Sequence, residues 1–273
     1  MWIVRARPLL GTVVTIKAFA SNANLLRADH AMSEAFKVMA HIEYVMSAHH
    51  VHSDLARISR AALGETLCVD AHTVSVIQAA QYWHRLSRGA FNPCRAAQLL
   101  TQKGVRPGLA NQTTGSLDDI VVRSSTQLHC RAPVQLDFGG IAKGFAVDRA
   151  IEILSINGIC DALVNAGGDL RAMGERFWPI EVRHAKRNIL DGRLNQKIQI
   201  RQQALATSVS GSLNPEFVFT RGYQRPKWQS VSVQADTCMA ADVLTKWAMQ
   251  SSLFCPDLRA ALRHNHGRLW RTQ

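Results

Sequence analysis

The 273-residue chain contains no apolar run approaching the length of a membrane span. Its start, Met1-Trp-Ile-Val-Arg-Ala-Arg-Pro8, is too short and too charged for a secretory core, so the sequence as written reads as a soluble, cytoplasmic chain. The six cysteines, Cys68, Cys94, Cys130, Cys160, Cys238 and Cys255, form no CxxC pair; they read as reduced thiols rather than a redox or zinc motif. There is no internal repeat, low-complexity tract or stretch resembling a disordered linker. Acidic residues are scarce, 20 against 32 lysines and arginines, which gives a net charge of +12.

That imbalance raises the question of a nucleic-acid ligand. Residues 183–227 carry nine basic side chains, Arg183, Lys186, Arg187, Arg193, Lys197, Arg201, Arg221, Arg225 and Lys227, against Asp191 and Glu216 alone. The stripe lacks the interleaved aromatics of a single-strand binder, and the chain has neither helix-turn-helix nor zinc spacing. No nucleic-acid partner is therefore assigned. An acidic protein partner accounts for the charge equally well.

With 47% hydrophobic residues the chain has a substantial core to bury. Residues 1–273 read as one domain, either a single large unit or two closely merged lobes. Thr12–Lys17 alternates like a strand, and Ala28, Met32, Ala35, Met39, Ile42 and Met46 form the apolar face of a long helix. A second helix is expected from about Thr73 to Leu86, ended by Gly89, and another from about Met239. Strands are expected near Ala162–Asn165, Trp178–Arg183, Lys197–Ile200 and Trp228–Val233. Strands mixed with long helices, without strict βαβ alternation, predict an α+β fold of mixed sheets with packed helices.

The segment Leu136-Asp-Phe-Gly-Gly-Ile-Ala-Lys-Gly-Phe-Ala-Val-Asp148, followed by Leu163-Val-Asn-Ala-Gly-Gly-Asp169, carries most of the functional information. Val134–Phe138 reads as a strand end, and Ile141, Phe145, Ala146, Ala150, Ile153 and Leu154 then recur at helical spacing. Gly139 and Gly140 fall at the junction, where positive φ and the missing Cβ let backbone N–H groups approach an anion at a helix N-terminus. Lys143 adds a mobile charge. The P-loop is excluded because Gly144, not Ser or Thr, follows Lys143, and the dinucleotide fingerprint lacks its third glycine.

The runs LDFGGIAKGFAVDRAIEIL, NAGGDLRAMG and CMAADVLTK resemble the FAD:protein FMN transferases of the ApbE family. Further pieces occur in the family's order: Leu9-Leu-Gly-Thr12, the segment from Met46 to Ser59, Gly89-Ala-Phe-Asn-Pro93 and Ala204-Leu-Ala-Thr-Ser208. The likeness runs over roughly residues 5–250 and implies an ApbE-like (T-fold-like) architecture. It also implies a Mg2+-dependent enzyme that transfers FMN from FAD to a Thr or Ser of a partner flavoprotein, with AMP released. A catalytically weakened FAD-binding protein and an FAD pyrophosphatase giving FMN and AMP are the alternatives. Periplasmic or inner-membrane-associated placement, as in many members, is the alternative to the cytoplasm.

By the resemblance, Asp137 and Lys143 match positions that hold the cofactor. Leu10 stands where the family commonly has methionine, and His49 where it commonly has a stacking tyrosine. Ala90, Phe91 and Asn92 match a flavin-contacting Ala-Phe-Asp. The backbone carbonyl of Gly140 and the carboxylate of Asp242 match metal-ligand positions, and hard oxygen ligands suit magnesium. Catalytic residues are not assigned.

Two departures from the family pattern stand out. Where the family often has Thr or Ser four residues after the metal aspartate, this chain has Lys246, preceded by Thr245. Three readings follow: Thr245 supplies the ligand, the Lys246 ammonium takes over part of the metal's charge neutralisation, or Lys246 is a surface residue. The family's His-x-x-Asp-Pro-x-Thr-Gly is replaced by the run from Asn214 to Pro226. Loss of a general base there costs about a hundred- to ten-thousand-fold in rate. Glu216 is either its substitute or an exposed carboxylate in a turn. Asp148 reads as a solvated or first-turn residue, Asp169 as a cap of the Gly-Gly turn, and Trp178, Trp228, Trp247 and Trp270 as packing residues. His49, His50 and His52 lack Cys or carboxylate partners at ligand spacing, which argues against a transition-metal site.

Overall fold

Ala28, Met32, Ala35, Met39, Ile42 and Met46 recur at three- and four-residue steps. In the computed structural model all six are buried on one face of the first helix. The structure describes residues 1–21, 24–95, 115–182, 196–209, 228–252 and 254–272. In chain order the elements are β1 (Trp2–Leu9), β2 (Thr12–Phe19), α1 (Leu25–Met46), α2 (Asp54–Ile58), β3 (Glu65–Cys68), α3 (Ala71–Leu86), β4 (Ile120–Ser124) and β5 (Gln127–Cys130). They continue with α4 (Ala142–Ile156), β6 (Ala162–Ala166), β7 (Asp169–Met173), β8 (Trp178–Val182), β9 (Gln196–Ile200), β10 (Ala204–Val209), β11 (Ser230–Ala235), α5 (Cys238–Gln250), α6 (Pro256–His264) and β12 (Arg268–Thr272).

Seven strands form an antiparallel sheet in the order β1-β2-β6-β7-β10-β11-β12. A three-stranded sheet β3-β5-β4 and a ribbon β8-β9 complete the strands. Separate antiparallel sheets with helices packed on them make the fold α+β. The strand pairings set the two faces of the large sheet. Val14, Ile16, Val164, Ala166, Ala204, Ala206, Val231 and Val233 share one face and join the core formed with α1, α4 and α5. Leu163, Leu170, Ala172 and Leu205 point the other way, into a smaller cluster with Trp178, Val182 and Ile200 of the ribbon. The period of two therefore sorts Asp169 and Ser208 onto the helix side of the sheet.

The expected strand ending at Phe138 is absent. Residues 133–138 carry no ladder and are held by isolated bonds, Val134 N–H to the Ile58 carbonyl (3.4 Å) and Asp137 N–H to the Pro93 carbonyl (3.1 Å). Strand β1 lies at a sheet edge, where Pro8 costs no interior ladder bond. Helix α3 starts two residues earlier than the periodicity implies, because Asp70 Oδ1 caps it by accepting the His72 N–H at 2.7 Å. Trp178 and Trp247 are buried packing residues, and Trp228 donates from Nε1 to the Ser251 carbonyl. Among the described residues no helix is long and apolar enough to cross a membrane.

Candidate functional site

The Asp137–Lys143 turn is shaped by its own polar groups. Asp137 Oδ1 accepts the Gly139 N–H at 2.8 Å, and the Ile141 and Ala142 N–H groups both reach the Phe138 carbonyl, at 3.0 and 2.8 Å, as the chain winds into α4. Gly140 is not in the left-handed region, contrary to the expectation of positive φ. Its requirement is space: an added Cβ would sit 3.0 Å from Lys246 Cγ, 3.3 Å from Lys246 Cε and 3.5 Å from a ring carbon of Phe91. Glycine here lets the α5 lysine lie against the turn.

Gly144 serves a different contact. A Cβ there would meet the backbone of Cys238 and Met239 at 2.5–2.7 Å, so it permits close approach of α4 to the start of α5. Asp148, one turn on, is buried rather than solvated. It accepts the Cys238 and Met239 N–H groups, both at 2.9 Å, and pairs with Arg171 at 2.8 Å. It thus caps α5 from a neighbouring helix. Burial pushes the Asp148 carboxyl above its usual range, against the opposing pull of Arg171 and the two N–H groups.

These two contacts fix α5 so that Asp242, Thr245 and Lys246 face the turn and the sheet. Asp242 is fully buried; its Oδ2 accepts the Gly144 N–H at 3.3 Å and its Oδ1 faces the Lys246 ammonium at 3.1 Å. Oδ1 has no directed hydrogen bond among the described residues, so the Lys246 contact is an ion pair. Lys246 Nζ also donates to Ser208 Oγ at 2.6 Å, and its side chain is 3% exposed, which rules out the surface reading. Thr245 Oγ1 donates to its own helix, at the Asp242 carbonyl (2.7 Å), and lies 2.6 Å from Ser208 Oγ.

Asp169 does not cap the Gly-Gly turn; Asn165 does, its Oδ1 accepting the Gly168 N–H at 2.9 Å. Asp169 instead pairs with Lys143 at 3.1 Å across the α4–sheet junction. Burial, then the neighbouring Asp242 charge, pushes the Asp169 carboxyl up, while Lys143 and Lys246 pull it down. Two carboxylates and two ammoniums thus share one cluster beside the glycine turn, buried except at Lys143. Ser208 and Asp169 become visible as members only once the strand register is known.

The remaining expected residues divide. Phe91 is buried against Gly140, and Pro93 holds Asp137, so the segment from Ala90 to Asn92 borders the turn. Asn92 Oδ1 accepts the Cys94 and Arg95 N–H groups at 3.1 and 3.2 Å, which commits it to local backbone. Leu10 and Gly11, with φ of 57° and 68°, form the two-residue turn between β1 and β2. A left-handed leucine is strained, and its turn adjoins the second glycine pair: Thr12 Oγ1 fills the place where a Gly167 Cβ would lie. His49 is exposed on the loop after α1. The ring contact there is made by His50, 4.5 Å from Tyr44.

On the opposite face of the sheet, under β8, a cleft of about 630 Å³ is lined by Asn165, Gly167, Gly168, Glu181 and Thr207 among others. The Gly167–Gly168 turn is at once its wall and the neighbour of Asp169. Of the basic stripe, Lys197 and Arg201 are described, and Arg201 pairs with Glu175 at 3.1 Å. Arg183, Lys186, Arg187, Asp191, Arg193, Arg221, Arg225, Lys227, and the run from Asn214 to Pro226 with Glu216, lie outside the described residues.

The ordered motifs match the ApbE family model over residues 10–253. The chain belongs to the ApbE family. An FAD:protein FMN transferase from Treponema pallidum (strain Nichols) is 27% identical over 199 residues, 67% of this chain and 55% of that protein. The chain thus spans about half the length of that relative. The solved flavin transferase ApbE from Vibrio cholerae superposes with a TM-score of 0.79 at 20% identity, over 99% of this chain and 93% of that one. The ApbE protein of Thermotoga maritima gives 0.75 at 24% identity, over 100% and 97%. These likenesses establish an ApbE fold.

The magnesium ligands implied by family resemblance, Gly140, Asp242 and Thr245, can be tested against this geometry. Gly140 and Asp242 both border the Lys246 side chain, whose stem lies beside Gly140 and whose ammonium holds the Asp242 carboxylate. The Thr245 hydroxyl is committed to Ser208 and to its own helix. Among the described residues no group of three or more His, Cys, Asp or Glu side chains gathers around a common point. The residues present do not fit a magnesium ion held in the expected way.

Proposed function

We propose that this ApbE-family chain is an FAD:protein FMN transferase, which binds FAD and passes FMN to a Thr or Ser hydroxyl of a partner flavoprotein. The observation that carries this reading is the charged cluster at the glycine turn, where Lys143 and Lys246 are held on Asp169 and Asp242 at 3.1 Å each. A pyrophosphate needs positive charge and backbone N–H groups at close range, and phosphoryl transfer is catalysed chiefly by positioning and charge neutralisation. In the step, the acceptor hydroxyl oxygen bonds to the FMN-side phosphorus. The bond from that phosphorus to the bridging oxygen breaks, AMP leaves with the electron pair, and the hydroxyl proton passes to solvent. Lys143, 29% exposed at its side chain, is placed to turn from Asp169 to a phosphate oxygen.

The replaced His-x-x-Asp-Pro segment supports a second reading, a protein that binds FAD or hydrolyses it to FMN and AMP without transfer. Incubating the full chain with FAD and a Thr-bearing acceptor separates them. Transfer gives an FMN-sized addition to the acceptor by mass spectrometry together with AMP by chromatography. AMP without adduct supports hydrolysis, and bound FAD with neither product supports the binding protein.

A further inference from the structure

The α5 helix presents Asp242 and Lys246 one turn apart on one face, and both side chains are withdrawn from solvent, at 0% and 3% exposure. The ammonium faces Asp242 Oδ1 at 3.1 Å and donates to Ser208 Oγ at 2.6 Å, and its stem passes close enough to Gly140 to crowd any side chain there. The Asp242 carboxylate has its other oxygen on the Gly144 N–H. Ser208 in turn is tied to Thr245, so the lysine is braced from the strand and from its own helix. A divalent cation on the Asp242 carboxylate would have to displace this ammonium from Oδ1 and would repel its charge.

We propose that the Lys246 ammonium is the resident cation of this site, so that the chain binds the pyrophosphate of its flavin dinucleotide without a divalent metal. This rests on the flavin reading above for its ligand, but the claim about the cation stands on the Lys246 contacts alone. A lysine is a compact point charge with three donors. Asp242 and Ser208 are among its partners, and its charge offsets that of the buried carboxylate whether or not a ligand is bound. Asp242 thereby becomes a positioning residue for the lysine rather than a metal ligand. The close approach needed for that arrangement explains why glycine stands at position 140 although its φ does not require it.

The test uses the full chain and two probes, manganese(II) followed by electron paramagnetic resonance and FAD followed by fluorescence. The wild-type apoprotein is expected to take up no manganese at this site. Lys246→Thr, which empties the space and adds a hydroxyl, is expected to bind one ion per chain and to lose it again when Asp242→Asn is added. FAD affinity of the wild type is expected to be the same in EDTA and in magnesium. That of Lys246→Thr is expected to fall about tenfold or more in EDTA and to recover with magnesium, whereas Lys246→Met falls and does not recover. Manganese bound by the wild type in an Asp242-dependent manner overturns the proposal, as does magnesium-dependent FAD binding by the wild type. Wild-type protein that binds no FAD under either condition refutes the flavin reading, while the manganese arms still decide the cation claim. Those wild-type measurements hold even if a variant misfolds.

Discussion

Replacing Gly144 with alanine isolates the contact that places α5. The new methyl would meet the Cys238 carbonyl oxygen at 2.5 Å and the Cys238 carbonyl carbon and Met239 Cα at 2.7 Å, all of them backbone atoms of a segment whose N–H groups are held by Asp148 and which is unable to turn aside. Overpacking of this kind costs about 1–3 kcal/mol, and a rigid backbone neighbour puts it near the upper end. Alanine returns about 1 kcal/mol of helix propensity, because Gly144 lies inside α4. The net loss is about 2 kcal/mol, which for a chain of this size lowers Tm by about 4–8 °C. Thermal melting followed by circular dichroism measures it, with Gly140→Ala as the comparison. At Gly140 the nearest neighbour is the flexible Lys246 stem at 3.0 Å, so the fold should tolerate the methyl while FAD binding weakens. An unchanged or raised Tm for Gly144→Ala would refute the claim that α4 and α5 meet at this glycine.

The Asp242–Lys246 pair should behave as a coupled buried unit. Lys246→Met alone is expected to cost about 3–5 kcal/mol in urea unfolding, by leaving Asp242 buried without its cation, and Asp242→Asn with Lys246→Met distinctly less than the sum of the single changes. Additive costs would mean the two side chains do not interact. For Asp148, whose folded pKa is raised, the contribution to stability is fully present below the unfolded value, about pH 4, and is lost as pH rises through the folded value. The stability of wild type relative to Asp148→Asn should therefore shrink as pH rises above about 4; a widening difference would show that Arg171 and the capping bonds outweigh burial. Burial raises the Cys94 thiol to about 12, and Cys130 and Cys238 are pushed up and buried as well. A thiol reagent at pH 8 should modify the exposed Cys68 and Cys160 rapidly and leave those three unreacted until the protein unfolds.

The helical face of α1 and the strand alternation of β2 were legible because burial follows a local period, with Ala28 to Met46 and Val14 to Ala18 each repeating it. The turn from Asp137 to Lys143 was legible as a junction leading into a helix because the glycine pair and the helical spacing after it leave a local signature. What it could not reveal was the partner of each group. Asp169 meets Lys143 only once the β6–β7 hairpin folds back beside α4, and Asp148 meets the N-terminus of α5 only once the distant α5 packs there. Gly140 shows the same limit, since its reason lies on Lys246, far along the chain, and not in its own φ. Strand β1 was missed because an edge strand carrying Pro8 and two arginines lacks a buried face to impose alternation. Lys246, by contrast, was conspicuous by spacing; its burial and its hold on Asp242 needed the fold.

The central claim is that the cluster of Lys143 and Lys246 on Asp169 and Asp242 holds the pyrophosphate of FAD. Calorimetric titration with riboflavin, FMN and FAD in EDTA tests it most directly, because the three ligands share a ring system and differ in their phosphates. The account predicts that FAD binds about tenfold or more tightly than riboflavin and that Lys143→Met removes most of that advantage. Equal affinity for FAD and riboflavin, or no binding of FAD at all, would contradict it.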